Sequence, residues 1–486
     1  MSTRMAKHDV KHHQMKILNQ YSVSTQVIVG IHIFFLIFIV MIDSLDYAAK
    51  VSLFAFLSAI VLSAGTKIPA GYVAVSLIIF IVLMKASEPE LLYQSLAEEV
   101  VWLMVGSFII GEAVKHSGIA DRFSYYIIRK SNRKNRIIAG LTSVLITSAF
   151  FIPSTSGRAA ITMPMLENLS SRFTAKERSV LSLMAPVVIL MSTSATIIGA
   201  GSHLIGIGLL ESASDQSISF LQWLVWGVPF SIVITVLSVF IMKRMLWPKE
   251  GSKNIEENTS IPSTPSGKAL NNKEKITLLL LILMIIGWTT ESVHGYDISF
   301  ITMIGAILAM APGFGVISWK QGIKAVSWNL ILFVAAAAAL GKVLVENGVI
   351  LWIEKKLFMF LPLFNEAPEW LLVTFILLIT TTSHLYITSH TTRAIVFIPG
   401  LILFSQSIGV NASAIVFISL IGMNYCITFP VCSKALMLFY EESDRSFHAS
   451  DLIKISTVLL PLYILLMLAF YFTFWRWTGM YLYPSL

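Results

Sequence analysis

Long apolar runs alternate with short polar ones along almost the whole chain. Runs with the length and composition of membrane spans cover 24–42, 50–64, 69–85, 99–118, 179–210, 219–243, 276–290, 299–317, 327–346, 414–440 and 455–476. A helix needs about 20 apolar residues to cross the hydrocarbon core, so the pattern predicts an all-α polytopic membrane protein with about 11 transmembrane helices. Two further apolar stretches, 137–168 and 370–408, are interrupted at their middles. Pro153, Ser154, Thr155, Ser156 and Gly157 break the first, and Thr388, Ser389, His390, Thr391 and Thr392 break the second. The arm after each break, 157–168 or 392–404, would be about 18–20 Å long as a helix, too short for a core of ~30 Å. Each stretch is therefore predicted to be a re-entrant helical hairpin with its tip at mid-depth. Irregular backbone survives there only against protein or a polar cavity.

The two interrupted stretches repeat one another. At a constant offset of 235 positions, Thr147, Ser148, Ser154, Arg158, Ala159 and Pro164 meet Thr382, Ser383, Ser389, Arg393, Ala394 and Pro399. A weaker echo at an offset of 230 pairs Gly111 and Gly118 with Gly341 and Gly348. Between the halves, residues 248–275 are rich in Ser, Asn, Pro, Lys and Glu and read as a cytoplasmic linker. The expected organisation is a cytoplasmic tail (1–23), a first transmembrane helix plus first repeat (24–247, with hairpin 137–168), the linker, and a second repeat (276–486, with hairpin 370–408). With the first helix outside the repeat, each half holds an odd number of crossings. The second repeat is then inverted in the membrane, as in many transporters that bind substrate at the midplane.

Composition and charge support this reading. Of 486 residues, 56% are hydrophobic and 13% charged, where soluble domains carry about 25% charged residues; mean hydropathy is +0.77. That excludes a soluble enzyme. The net charge of +8 does not indicate nucleic acid, because the cations sit in short loops between spans. With the tail inside, the loops bearing Arg122 to Arg136, Arg172 to Arg178, Lys243 to Lys275, and Lys320 with Lys324 also fall inside. The outer loops 86–98, 211–218, 291–298 and 409–414 contain no Lys or Arg, and Lys355 and Lys356 are the main exceptions. The expected location is the cell membrane, multi-pass, with a cytoplasmic N-terminus. The only cysteines, Cys426 and Cys432, fit neither a disulfide framework nor a zinc pattern.

The chemistry at the breaks suits an anion. Ser156 and Thr391 are natural N-caps for the returning arms, whose free N–H groups and positive dipole ends would face the tips. Arg158 and Arg393 fall in the first turn of those arms. Arginine at the centre of a membrane helix costs about 2.5–3.5 kcal/mol, so a matched pair points to function. The guanidiniums would pair with carboxylate or sulfate oxygens, or else bond exposed backbone carbonyls at the hairpins. Further breaks follow at 192–203, STSATIIGAGSH, and 428–434, TFPVCSK. They would supply carbonyls to a cation or merely kink a helix. His203, His384 and His390 follow no metal-ligand spacing and read as polar lining.

These motifs resemble those of the divalent anion/sodium symporter (DASS) family of dicarboxylate, citrate and sulfate transporters, from about residue 50 onward. The family's twin Ser-Asn-Thr motifs correspond to Ser154-Thr155-Ser156 and Ser389-His390-Thr391. Its downstream T-L-I-G-T-P-P-N stretch is similar to Thr196 through His203, and its P-V-G-T to Pro430-Val431-Cys432-Ser433. The resemblance implies substrate binding by Ser154, Thr155, Ser156, Ser389, His390 and Thr391, which join Arg158 and Arg393, expected there from their intramembrane charge. It implies sodium sites at Ser154, Ser156, Thr196, Gly199 and Ala200, and at Ser389, Thr391, Pro430, Cys432 and Ser433. It also implies an elevator movement and a homodimer. Both motif asparagines are replaced, by Thr155 and His390, and arginine after the motif is similar to the S-N-T-A-R of the sodium-independent exchanger branch. The leading expectation is sodium-coupled symport of a small di- or tricarboxylate or sulfate, with no cofactor beyond Na+ as coupling ion. The alternatives are a sodium-independent anion exchanger and a membrane-embedded enzyme acting on a phosphate-bearing lipid.

Overall fold

The computed structural model describes residues 23–66, 68–119, 122, 133–152, 154–169, 172–214, 216–248, 270–349, 352, 368–387, 389–440 and 447–483. The tail through residue 22, linker residues 249–269, and Pro153, Thr388, Lys355 and Lys356 lie outside them. Among the described residues the regular structure is entirely helical. The longer helices are α1 (Val23–Val40), α2 (Tyr47–Gly65), α3 (Ala70–Leu83), α4 (Glu99–Ser117), α5 (Lys134–Ser148), α6 (Thr155–Leu169), α7 (Ala175–Ser192), α8 (Gly201–Ala213) and α9 (Phe220–Leu246). They continue with α10 (Asn272–Thr289), α11 (Ile298–Ala309), α12 (Trp328–Glu346), α13 (Glu369–Thr382), α14 (His390–Ser407), α15 (Ala412–Asn424), α16 (Lys434–Tyr440) and α17 (Ala449–Phe470). Among the described residues, five helical segments are long and apolar enough to cross a membrane: Glu99–Ser117, Ala175–Ala195, Phe220–Leu246, Trp328–Glu346 and Ala449–Trp475.

The helices follow the apolar runs, with instructive differences. The run 299–317 is helical only to Ala309. Pro312 lacks a backbone N–H, Gly313 takes φ +89°, and the N–H groups of Val316 and Ile317 fold back onto the Ala309 carbonyl at 2.7 and 3.2 Å. The runs 179–210 and 414–440 each divide into a helix, an irregular segment with short 3-10 turns, and a second helix. Helix starts carry the expected caps. Thr174 and Glu177 form a capping box on α7, and Ser219 caps α9.

The chain divides into two compact units that do not coincide with the sequence halves: 1–96 with 332–356, and 97–331 with 357–486. In the first, α1 packs on α2 and α2 on α3, around a core of Ile39, Leu45, Ala49, Leu53, Leu344 and Val349. Asn347 ties this unit together, its Nδ2 donating to Ser52 Oγ at 2.7 Å and to the Ala86 carbonyl at 3.0 Å.

In the second unit the repeated elements exchange partners between halves. Returning arm α6 packs on α16, which follows the second-half break, and returning arm α14 packs on α8, which follows the first-half break. Helix α9 supports the first break. A Cβ on Gly227 would collide with the Ser194 carbonyl, Trp223 Nε1 donates to that same oxygen at 3.1 Å, and Ser231 Oγ donates to the Ser192 carbonyl at 3.3 Å. Large apolar side chains such as Phe240 and Leu465, 64% and 62% exposed, face outward, as on a surface solvated by lipid.

Candidate functional site

The two interrupted stretches fold as helix–turn–helix pairs with the same tip. The N-caps are Ser154 and Ser389, two residues earlier than the expected Ser156 and Thr391. Ser154 Oγ accepts from Gly157 N at 3.2 Å, and Ser389 Oγ accepts from Thr392 N at 3.3 Å. The carbonyls of the same serines accept the first intrahelical bonds, from Arg158 N at 2.9 Å and Arg393 N at 3.0 Å. Every hydroxyl of the Ser-x-Ser and Ser-x-Thr triplets can cap, and the backbone register selects the earlier one. Ser156 Oγ and Thr391 Oγ1 instead pair with the capping hydroxyls, at 3.0 and 2.8 Å. The first N–H groups of each arm have no carbonyl a turn earlier to bond, so both tips present donors.

Arg158 and Arg393 are 1% and 0% exposed. Neither lines the cavity at the tips; each reaches sideways into the helix break of its own half. Arg158 Nη1 donates to Ser192 Oγ at 3.1 Å, and Nη2 donates to Thr193 Oγ1 at 2.6 Å and to the Gly199 carbonyl at 3.4 Å. Arg393 Nη1 donates to the carbonyls of Met423 at 2.6 Å and Tyr425 at 3.4 Å. Among the described residues no carboxylate pairs with either guanidinium. Some of the oxygens that an unwound helix would offer a free cation are therefore held by a tethered one, the carbonyls of Gly199, Met423 and Tyr425 among them.

Hydrogen bonds hold the breaks in shape. Thr196 Oγ1 donates to the Ala149 carbonyl at 2.8 Å, linking the first break to the first hairpin. His203 Nδ1 donates to the Thr196 carbonyl at 3.0 Å, which leaves Nε2 to accept from Asn424 Nδ2 at 2.9 Å. That contact joins the first-half break to α15 of the second half. In the second hairpin, His384 Nδ1 donates to the Thr381 carbonyl at 2.6 Å, and Nε2 lies 2.7 Å from Thr428 Oγ1 of the second break. Cys426 and Cys432 are buried free thiols, with Cys426 Sγ donating to the Cys432 carbonyl.

Both tips line one cavity of about 250 Å³. Ser154, Thr155 and Ser156 meet Ser389, His390 and Thr391 there, joined by Ala200, Gly201 and Ser202 from the start of α8 and by Ser433. Of the residues expected at cation sites, Ser154, Ser156, Ala200, Ser389, Thr391 and Ser433 line it, whereas Thr196, Gly199, Pro430 and Cys432 do not. Met104, Ser107 and Phe108 of α4, Leu204, Leu330, Val431 and Lys434 complete the wall. Val431 and Lys434 lie in the 428–434 stretch without having been assigned a role there, and the others fall outside the motifs. Lys434 did carry a signal in the sequence, as the only Lys or Arg within the run 414–440, and an ionisable residue in such a run is functional by default.

The geometry agrees with what the chain is similar to. Residues 20–481 match the family described as sodium:sulfate symporter transmembrane region. A "membrane protein" of Cupriavidus necator is 23% identical over 393 residues, 78% of this chain and 74% of the relative. The L-tartrate/succinate antiporter of Escherichia coli is 23% identical over 54% of this chain and 55% of its own length. The citrate/succinate antiporter of the same organism is 22% identical over 52% and 53%. The chain thus spans about half the length of the antiporters it matches. The Alcanivorax borkumensis YdaH transporter, at 11% identity, superposes with a TM-score of 0.56 over 80% of this chain and 87% of that one, a likeness of fold. Matched over nearly its whole length, the chain belongs to the sodium:sulfate symporter family, whose members are multi-pass membrane transporters and not enzymes.

Proposed function

We propose that this protein exchanges small divalent organic anions across the cell membrane, of the class of succinate, tartrate and citrate, without sodium. The observation that carries the reading is the placement of Arg158 and Arg393 in the two helix breaks, without carboxylate partners among the described residues, beside a cavity shared by both hairpin tips. A coupling sodium ion can leave its site, but a guanidinium cannot. Two buried cations without counter-charge are costly to carry through the hydrocarbon layer. A bound dianion offsets that charge, so the loaded carrier crosses and the empty one stays. Obligatory exchange follows. The relatives named as antiporters support this reading over sodium-coupled symport, although the family description itself names sodium and sulfate.

The hydroxyls of Ser154, Ser156, Ser389 and Thr391, together with Thr155, His390 and the free N–H groups at the starts of α6, α14 and α8, would hold the anion. A cavity of about 250 Å³ falls just below the range typical of drug-sized ligands, roughly 300–1,000 Å³, and suits a small acid. Arg158 and Arg393 act as fixed charges one turn away. The partner exchange of α6 with α16 and of α14 with α8 supports two inverted repeats with re-entrant hairpins 137–168 and 370–408. The cytoplasmic N-terminus, the homodimer and the elevator movement belong to the same proposal.

Thermal unfolding of the purified protein with and without ligands tests it. Succinate, tartrate or citrate is expected to raise the midpoint, and replacing sodium by choline to change nothing. Stabilisation that appears only with sodium present would return the symport reading to first place.

A further inference from the structure

We infer that Lys434 is the residue that meets the anion's charge directly and sets a requirement for at least two negative charges on the substrate; this rests on the anion-transport reading above. The two arginines cannot fill that role, because neither lines the cavity and the bonds they do make, from both Nη atoms of Arg158 and from Arg393 Nη1, run into the breaks. Among the described residues, Lys434 is the one Lys or Arg that lines the cavity, and it forms no ion pair with any carboxylate. Polar groups nearby also lack protein partners, for both ring nitrogens of His390 are buried on the same wall without a hydrogen bond.

The repeat sharpens the assignment. Lys434 opens α16 just after the second-half 3-10 turn Pro430–Cys432, as Gly201 opens α8 just after the first-half turn Ile197–Gly199. A Cβ on Gly201 would touch only Leu330 and Thr391, at 3.6 and 3.7 Å, so that wall would admit a small side chain. The two tips match, whereas this pair differs: lysine on one side, glycine on the other. Lys434 therefore breaks the two-fold pseudo-symmetry of the site and gives it one cationic end. A flexible ammonium donates hydrogen bonds to carboxylate without the fixed fork of arginine. It can therefore serve acids of slightly different length.

The test compares Lys434→Gln, which removes the charge, with Lys434→Arg, which keeps it. Each is read by ligand-induced thermal stabilisation and by anion exchange in proteoliposomes, using succinate and its singly charged half-amide, succinamate. The apo unfolding midpoint is expected to stay at the wild-type value in both variants, since Lys434 forms no internal ion pair. In Lys434→Gln, loss of one charge-assisted contact should weaken succinate binding by about tenfold or more, leave succinamate nearly unchanged, and raise KM while turnover at saturation holds. Lys434→Arg should restore the preference for succinate. A wild-type ratio of succinate to succinamate affinity in Lys434→Gln overturns the inference. If the wild type binds succinate through Lys434 but exchanges no anion, the inference stands and the exchanger reading falls.

Discussion

A buried guanidinium needs oxygens around its N–H groups, and the acceptors that Arg158 Nη1 and Nη2 and Arg393 Nη1 find here belong to the helix breaks. Arg158→Ala would orphan the Gly199 carbonyl and the hydroxyls of Ser192 and Thr193, whose own protons already go to the Ile189 carbonyl. Charge-assisted bonds contribute about 1.5–3 kcal/mol each, so losing two should cost about 3 kcal/mol or more of stability, and exchange should fall severely while the protein still inserts. Exchange in proteoliposomes, alongside thermal unfolding, checks this for Arg158→Ala and Arg393→Ala. Normal exchange in both would make the arginines structural passengers. His203→Leu would leave the Thr196 carbonyl and the Asn424 amide buried without partners, and its expected destabilisation is about 2 kcal/mol. A lowered unfolding midpoint without any ligand checks it, and an unchanged midpoint would mean that solvent reaches the break.

Among elements, the hairpins and breaks are matched pieces whose shape depends on single atoms. Ser154→Ala and Ser389→Ala each remove a cap, at about 1 kcal/mol, and a cavity hydroxyl. The two variants should weaken succinate binding by similar factors, which titration by thermal shift measures; loss at one tip alone would show that the anion sits on one hairpin. Gly199→Ala would drive a Cβ into the Thr193 carbonyl and turn the Gly199 carbonyl off Arg158. Exchange should fall sharply while the protein still inserts.

The paired helix–turn–helix interruptions could be read from sequence because a polar interruption in an apolar run has few physical explanations, and because it occurs twice with Ser, Arg and Pro at one spacing. What escaped the sequence was direction. Spacing puts Arg158 one turn from the tip but does not say that it turns to Ser192 and Thr193, some 35 residues on, because those acceptors exist only once the break has folded. The cap sits at Ser154 and not Ser156 for a local reason, since the chain is already helical from Thr155 and Ser154 Oγ meets the Gly157 N–H. Lys434 was visible as a lone cation in an apolar run, but its place in the wall depends on α16 packing against α6 of the other half.

For the whole molecule, the division into sequence halves and the division into compact units differ. Each unit draws on both halves, and the candidate site lies wholly within the second. An anion held there touches both repeats at once, which is why two interrupted helices that look incomplete separately make one cavity. On the proposed reading, transport occurs only in exchange, because the fixed charges remain when the anion leaves. The direct measurement is uptake of labelled succinate into proteoliposomes that are either empty or preloaded with unlabelled succinate, in choline buffer without sodium on either side. Rapid uptake into preloaded vesicles only, unchanged when sodium is added, is the expected result. Uptake into empty vesicles driven by an inward sodium gradient would contradict it.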